Sequence, residues 1–91
     1  MNHPLSFDLG RTVATATVAQ TFSPLELTQL LRRHLRGEPG LLCPEDVDQN
    51  VHAVERGDER VFSKFDTPHG AVYVITEADR SATTVLFPDE Y

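Results

Sequence analysis

At Arg60 the apolar period of this chain changes from helical to two, and that change limits the folds open to it. Before it, Leu27, Leu30, Leu31 and Leu35 recur three and four residues apart, the spacing of one helix face. After it, Val61, Ser63 and Phe65 alternate with Phe62, Lys64 and Asp66, as on a half-buried strand. A 91-residue chain holding both patterns suits one small α+β domain over residues 1–91, in which helices cover a sheet.

The helical half carries clear punctuation. Ser23-Pro24-Leu25-Glu26 reads as a capping box with proline at the first helical position, and Phe22 is placed to meet Leu27 as a hydrophobic staple. Arg32, Arg33 and Arg36 suit the negative end of this helix, and Gly37 stops it. After a Glu38-Pro39-Gly40 turn, a second helix starts near Pro44, with Glu45 and Asp46 in its first turn. Val47, Val51 and Val54 form its apolar stripe, and Gly57 ends it.

Three strands follow: one from Arg60, one over residues 71–77, and one over residues 82–87. Thr67-Pro68-His69-Gly70 and Ala78-Asp79-Arg80-Ser81 are the turns between them. Residues 11–21 are less decisive. Their β-branched side chains predict a strand over the first half, while their alanines also suit a short helix. The expected order is β-α-α-β-β-β: an antiparallel sheet of three or four strands with two helices on one face.

Composition narrows the chemistry. Fourteen acidic residues against eight Lys and Arg give a net charge of −6. Such a domain is repelled by nucleic acid at long range and attracts a basic protein surface. The single cysteine, Cys43, cannot form an internal disulfide or a cysteine-based zinc cage. A helix N-terminus lowers a thiol pKa, but Glu45 and Asp46 oppose this, so Cys43 reads as a structural thiol. His3, His34, His52 and His69 lack metal-ligand spacing; His34 borders the first helix's apolar face and reads as a structural histidine.

No G-x-S-x-G, Walker A or dinucleotide fingerprint occurs, so neither catalysis nor a cofactor is expected. The first ten residues lack the basic and apolar regions of a signal peptide, and no apolar run approaches a membrane span. The expected location is cytoplasmic, with no membrane partner.

The charges are unevenly spread. Residues 1–37 hold four arginines and two acids, whereas residues 38–91 hold four basic side chains and twelve acids. Glu45, Asp48, His52 and Glu55 share one face of the second helix, flanked by Asp46, Asp58 and Glu59. Glu77 and Asp79 add two carboxylates at the last hairpin turn. These eight acids are the candidate partner-binding residues, and a basic protein surface is the expected partner. The alternatives are a homodimer formed through sheet edges or the first helix, and a small hydrolase built on Glu77, Asp79 or His69.

The segments Ser23–Leu27, Arg33–Gly37 and Asp46–Asn50, the run Ile75-Thr76-Glu77-Ala78-Asp79-Arg80-Ser81-Ala82-Thr83-Thr84, and Leu86–Tyr91 together carry a likeness. On these residues the chain resembles a family of small proteins from bacterial plasmids and integrated elements. Its members are often labelled "plasmid-related protein" or "type I restriction endonuclease subunit M". The methyltransferase label has no cofactor signature behind it here. Where members usually carry G-D-W-G after the first helix, this chain has Gly37-Glu38-Pro39-Gly40 and no tryptophan. The resemblance implies a mobile-element setting, in which small acidic proteins include anti-CRISPR and anti-restriction inhibitors.

Overall fold

A computed structural model describes residues 7–91; His3 and most of the segment bearing on a signal peptide lie outside them. The elements are β1 (Arg11–Ala14), α1 (Ala16–Thr21), α2 (Pro24–Leu35), α3 (Pro44–Arg56), β2 (Val61–Thr67), β3 (Gly70–Thr76) and β4 (Ala82–Leu86), followed by a single 3-10 turn at Pro88–Glu90. The α+β class holds. The ambiguous segment at 11–21 divides into both elements its composition allowed, because Thr15 turns the chain by capping α1 at the Val18 amide.

The sheet has the order β1-β4-β3-β2. β2, β3 and β4 form the expected antiparallel meander, with Val61 opposite Thr76 and Thr76 opposite Thr83. The sheet as a whole is mixed, which corrects the antiparallel expectation. β1 lies parallel to β4, clamped by the Arg11 amide on the Ser81 carbonyl (3.0 Å) and the Thr15 amide on the Val85 carbonyl (3.1 Å).

α2 begins as the sequence requires. The Glu26 amide donates to Ser23 Oγ (3.2 Å), and the Ser23 amide donates to Glu26 Oε1 (2.8 Å). At its other end Gly37 adopts φ 68°, and amides 37 and 38 close on the carbonyls of His34 and Arg33, a Schellman motif. The core lies between α1, α2 and one sheet face: Val18, Phe22 and Leu30 from the helices, Phe65, Val72, Val74 and Val85 from the strands. Phe65 is fully buried, and removing a side chain of that size from water stabilises the fold by about 2–3 kcal/mol.

α3 does not simply join α2 on the sheet face, as two helices on one face would require; it also closes the outer edge of β2. The Asn50 amide group receives the Phe62 backbone N–H at 2.9 Å and donates to the Phe62 carbonyl at 2.5 Å, standing in for a neighbouring strand. One step along, the Leu41 amide donates to the Lys64 carbonyl (2.8 Å). Gly40 makes that approach feasible, since a Cβ there would strike the Lys64 carbonyl and the Phe65 ring. The valine stripe is corrected in part: Val47 and Val54 are half-buried, but Val51 stays exposed and Ala53 is the buried residue of α3, because the helix meets an edge rather than a broad face.

Candidate functional site

The second sheet face lies away from the α1–α2 core and is flanked by α3 and by the chain after β4. Pleating sends Phe62 and Lys64 of β2, Tyr73 and Ile75 of β3, and Thr84 and Leu86 of β4 to this side. After β4, the turn at Pro88–Glu90 folds the chain back so that Tyr91 stands beside Tyr73. Glu90 fixes that turn by accepting the Phe87 amide (2.8 Å) and the Thr15 hydroxyl (2.9 Å). The result is a pocket of about 540 Å³ between α3, the α3–β2 connection and the sheet.

Its aromatic wall is a corner. The Phe62 and Tyr73 centroids lie 4.8 Å apart at 63°, and those of Tyr73 and Tyr91 lie 5.7 Å apart at 86°. Arg60 donates to the Tyr91 hydroxyl (2.6 Å) with its guanidinium 5.6 Å from that ring's centroid. Asp46 and Glu59 supply two carboxylates to the same lining.

The eight acids therefore fall into distinct groups. Glu45, Asp48 and Glu55 lie on the exposed outer side of α3, with His52 between them. Asp46, one residue from Glu45, is turned about 100° around the helix and lines the pocket with Glu59. Asp58 is exposed on the α3–β2 connection. Glu77 and Asp79 are drawn toward the far end of α3 by Arg80, which donates to the carbonyls of Ala53 (3.0 Å), Glu59 (2.6 Å), Glu77 (3.2 Å) and Ala78 (3.3 Å). Arg80 holds a left-handed backbone (φ 61°) while it clasps three segments.

Arg80 thus binds carbonyls, not carboxylates. Among the described residues, Glu59 is the one candidate acid in an ion pair, 3.6 Å from Arg56. Asp79 instead accepts from the hydroxyl and amide of Ser81, which hold its carboxyl below the usual range. Glu45 is likewise lowered, by its own amide and by the Cys43 thiol. Arg33 and Arg36 instead pair with Glu38 at 3.4 and 3.0 Å, just beyond the end of their own helix.

The remaining chemistry-bearing residues do not converge. His69 sits at the β2–β3 turn, 3.2 Å from Glu26, whereas Glu77 and Asp79 lie beyond the other end of β3, roughly 25 Å along the strand direction. Cys43 is exposed. The Asp46 amide favours its thiolate, but the Glu45 and Asp46 carboxylates outweigh that and raise its pKa. No group of three His, Cys, Asp or Glu among the described residues could hold a metal ion, and no described helix is long and apolar enough to cross a membrane.

Sequence reasoning missed the aromatic corner and Arg60. The signal was present: Phe62 and Tyr73 are large aromatics out of phase with the core positions of their strands. No protein-family model, curated protein or solved structure matches the chain.

Proposed function

We propose that this protein is a non-catalytic binding protein that docks its acidic α3 side onto a basic protein surface. The observation carrying this reading is the outer face of α3, where Glu45, Asp48 and Glu55 are exposed and, among the described residues, have no basic side chain within ion-pair distance. The Arg80 clasp ties the turn that carries Glu77 and Asp79, both exposed, to the C-terminal end of α3. The choice of partner, a nucleic-acid-handling or host-defence complex, comes from the resemblance to mobile-element proteins. Anti-CRISPR or anti-restriction inhibition is then the effect of covering a groove that otherwise holds nucleic acid.

A hexa-arginine peptide tests the electrostatic premise. Its affinity is expected to fall at least about tenfold between roughly 50 and 300 mM salt. The triple variant Glu45→Gln, Asp48→Asn, Glu55→Gln should weaken it by a similar factor at low salt. Salt-insensitive binding, or an unaffected triple variant, would remove the reading's support. Its biological half is checked by co-expressing the protein with a restriction or CRISPR system and measuring phage plating efficiency.

A homodimer is the second reading, and β1 is the observation in its favour. Ladder alternation turns the Thr12 and Ala14 backbone groups away from β4, and Leu27, Leu31 and Pro24 line an apolar groove of about 230 Å³ beside them. Light scattering decides it: this reading expects a stable dimer that Thr12→Pro converts to monomer, and a wild-type monomer at high concentration defeats it.

A further inference from the structure

The pocket on the second sheet face has a composition that the acidic surface alone does not explain. A plain docking face has no use for three aromatic rings in sequence, Phe62 at 63° to Tyr73 and Tyr73 at 86° to Tyr91. Such a corner presents ring faces and edges to one small volume, the arrangement that binds cations through the negative faces of the rings. Phe62, Tyr73 and Tyr91 form that corner, and Asp46 and Glu59 bring two negative charges to the same space.

The chain already displays the chemistry on its own side chains. The Arg60 guanidinium stands 5.6 Å from the Tyr91 centroid, and the Lys64 ammonium 5.9 Å from that of Tyr73. Arg60 is also tied to the Tyr91 hydroxyl, which holds it at one side of the pocket. Among the residues lining the pocket, the charge count favours a further cation over an anion: two carboxylates face one guanidinium, and Lys64 lies outside that lining. Asp46 has no ion-pair partner among the described residues, and Glu59 has only Arg56 at 3.6 Å.

We propose that this pocket receives an arginine side chain of the basic partner, its guanidinium against the Phe62–Tyr73 corner and paired with Asp46. Arginine fits better than lysine because a planar guanidinium stacks on a ring while its N–H groups fork onto a carboxylate, which an ammonium cannot do. The inference rests on the docking reading above and adds to it the anchor residue and its socket.

The test compares hexa-arginine with hexa-lysine on the intact protein, followed by backbone amide shifts and calorimetry. Hexa-arginine is expected to bind at least about fivefold more tightly and to shift the amides of Phe62, Tyr73 and Tyr91. Asp46→Asn and Tyr73→Leu should each erase that preference. Asp46→Asn changes an exposed side chain, so it keeps the test decisive if Tyr73→Leu unfolds the protein. If both peptides bind equally, or the two variants leave the arginine preference intact while the outer-face triple variant abolishes binding, the socket is wrong and the docking reading survives. If neither peptide binds at low salt, the docking reading itself fails and takes the socket with it.

Discussion

His34→Ala is expected to destabilise the protein by about 3–5 kcal/mol, because it combines a buried cavity with stranded hydroxyl groups. His34 is fully buried, and both ring nitrogens are engaged: Nδ1 lies 2.7 Å from Ser63 Oγ and Nε2 lies 2.8 Å from Thr76 Oγ1. The far end of the network sets the proton directions. Thr83 donates to the Leu9 carbonyl (2.7 Å), so it accepts from Thr76 (2.6 Å). Thr76, its proton spent, must accept from His34 Nε2, and neutral Nδ1 then accepts from Ser63. One neutral tautomer satisfies every member, and no buried side-chain polar atom lacks a partner among the described residues. A Ser–His pair at this distance resembles a nucleophile and its base, but Ser63 is itself buried, so here it locks α2 to β2 and β3. Thermal unfolding checks the expectation: a fall of about 20 °C in Tm is consistent with it for a domain of this size. A loss under about 1 kcal/mol would mean that the ring does not bridge the helix and the sheet.

What the sequence disclosed follows the range of the interactions involved. The capping box at Ser23–Glu26, the stop at Gly57 and the two hairpins depend on residues a few positions apart, and each stands where local spacing put it. The β1–β4 pairing joins Arg11 to Ala82, and nothing in the intervening chain encodes its parallel direction. Asn50 shows the same limit at a single side chain. Its neighbours mark a polar helix, but its service to the Phe62 backbone depends on where α3 meets β2. The acidic residues were legible as a composition and as one helix face. Their separation into an outer row and a pocket pair required the helix's docking angle. Arg80 reads in sequence as a turn residue, and its reach to Ala53 and Glu59 reflects a contact between distant segments.

Stability is expected to fall as the pH drops from about 6.5 to 4, with His34 the largest single source. Burial pushes its pKa down from 6.5 to about 4. Between those values the unfolded chain binds the proton and the folded protein does not, so stability rises with pH across that window and falls as acid is added. Below about 4 the folded form also protonates and the contribution levels off. The full difference amounts to about 3 kcal/mol, a large part of what holds a domain of this size together. The hydroxyls of Ser63 and Thr76 and the Phe7 ring, its centroid 5.4 Å from that of His34, flank the imidazole, none bearing a charge that would retain the proton. Four carboxylates act lower on the scale. Glu26, Glu45, Asp79 and Glu90 have lowered folded pKa values, so their contributions are present above the ordinary carboxylate range and are lost as pH falls below it. The two sources therefore separate on the pH axis. Urea midpoints measured between pH 7 and 4.5 should decline in the wild type and stay nearly level in His34→Leu. A wild-type midpoint that is flat over this range would mean the imidazole already carries its proton in the fold, contrary to the hydrogen-bond directions of the buried network.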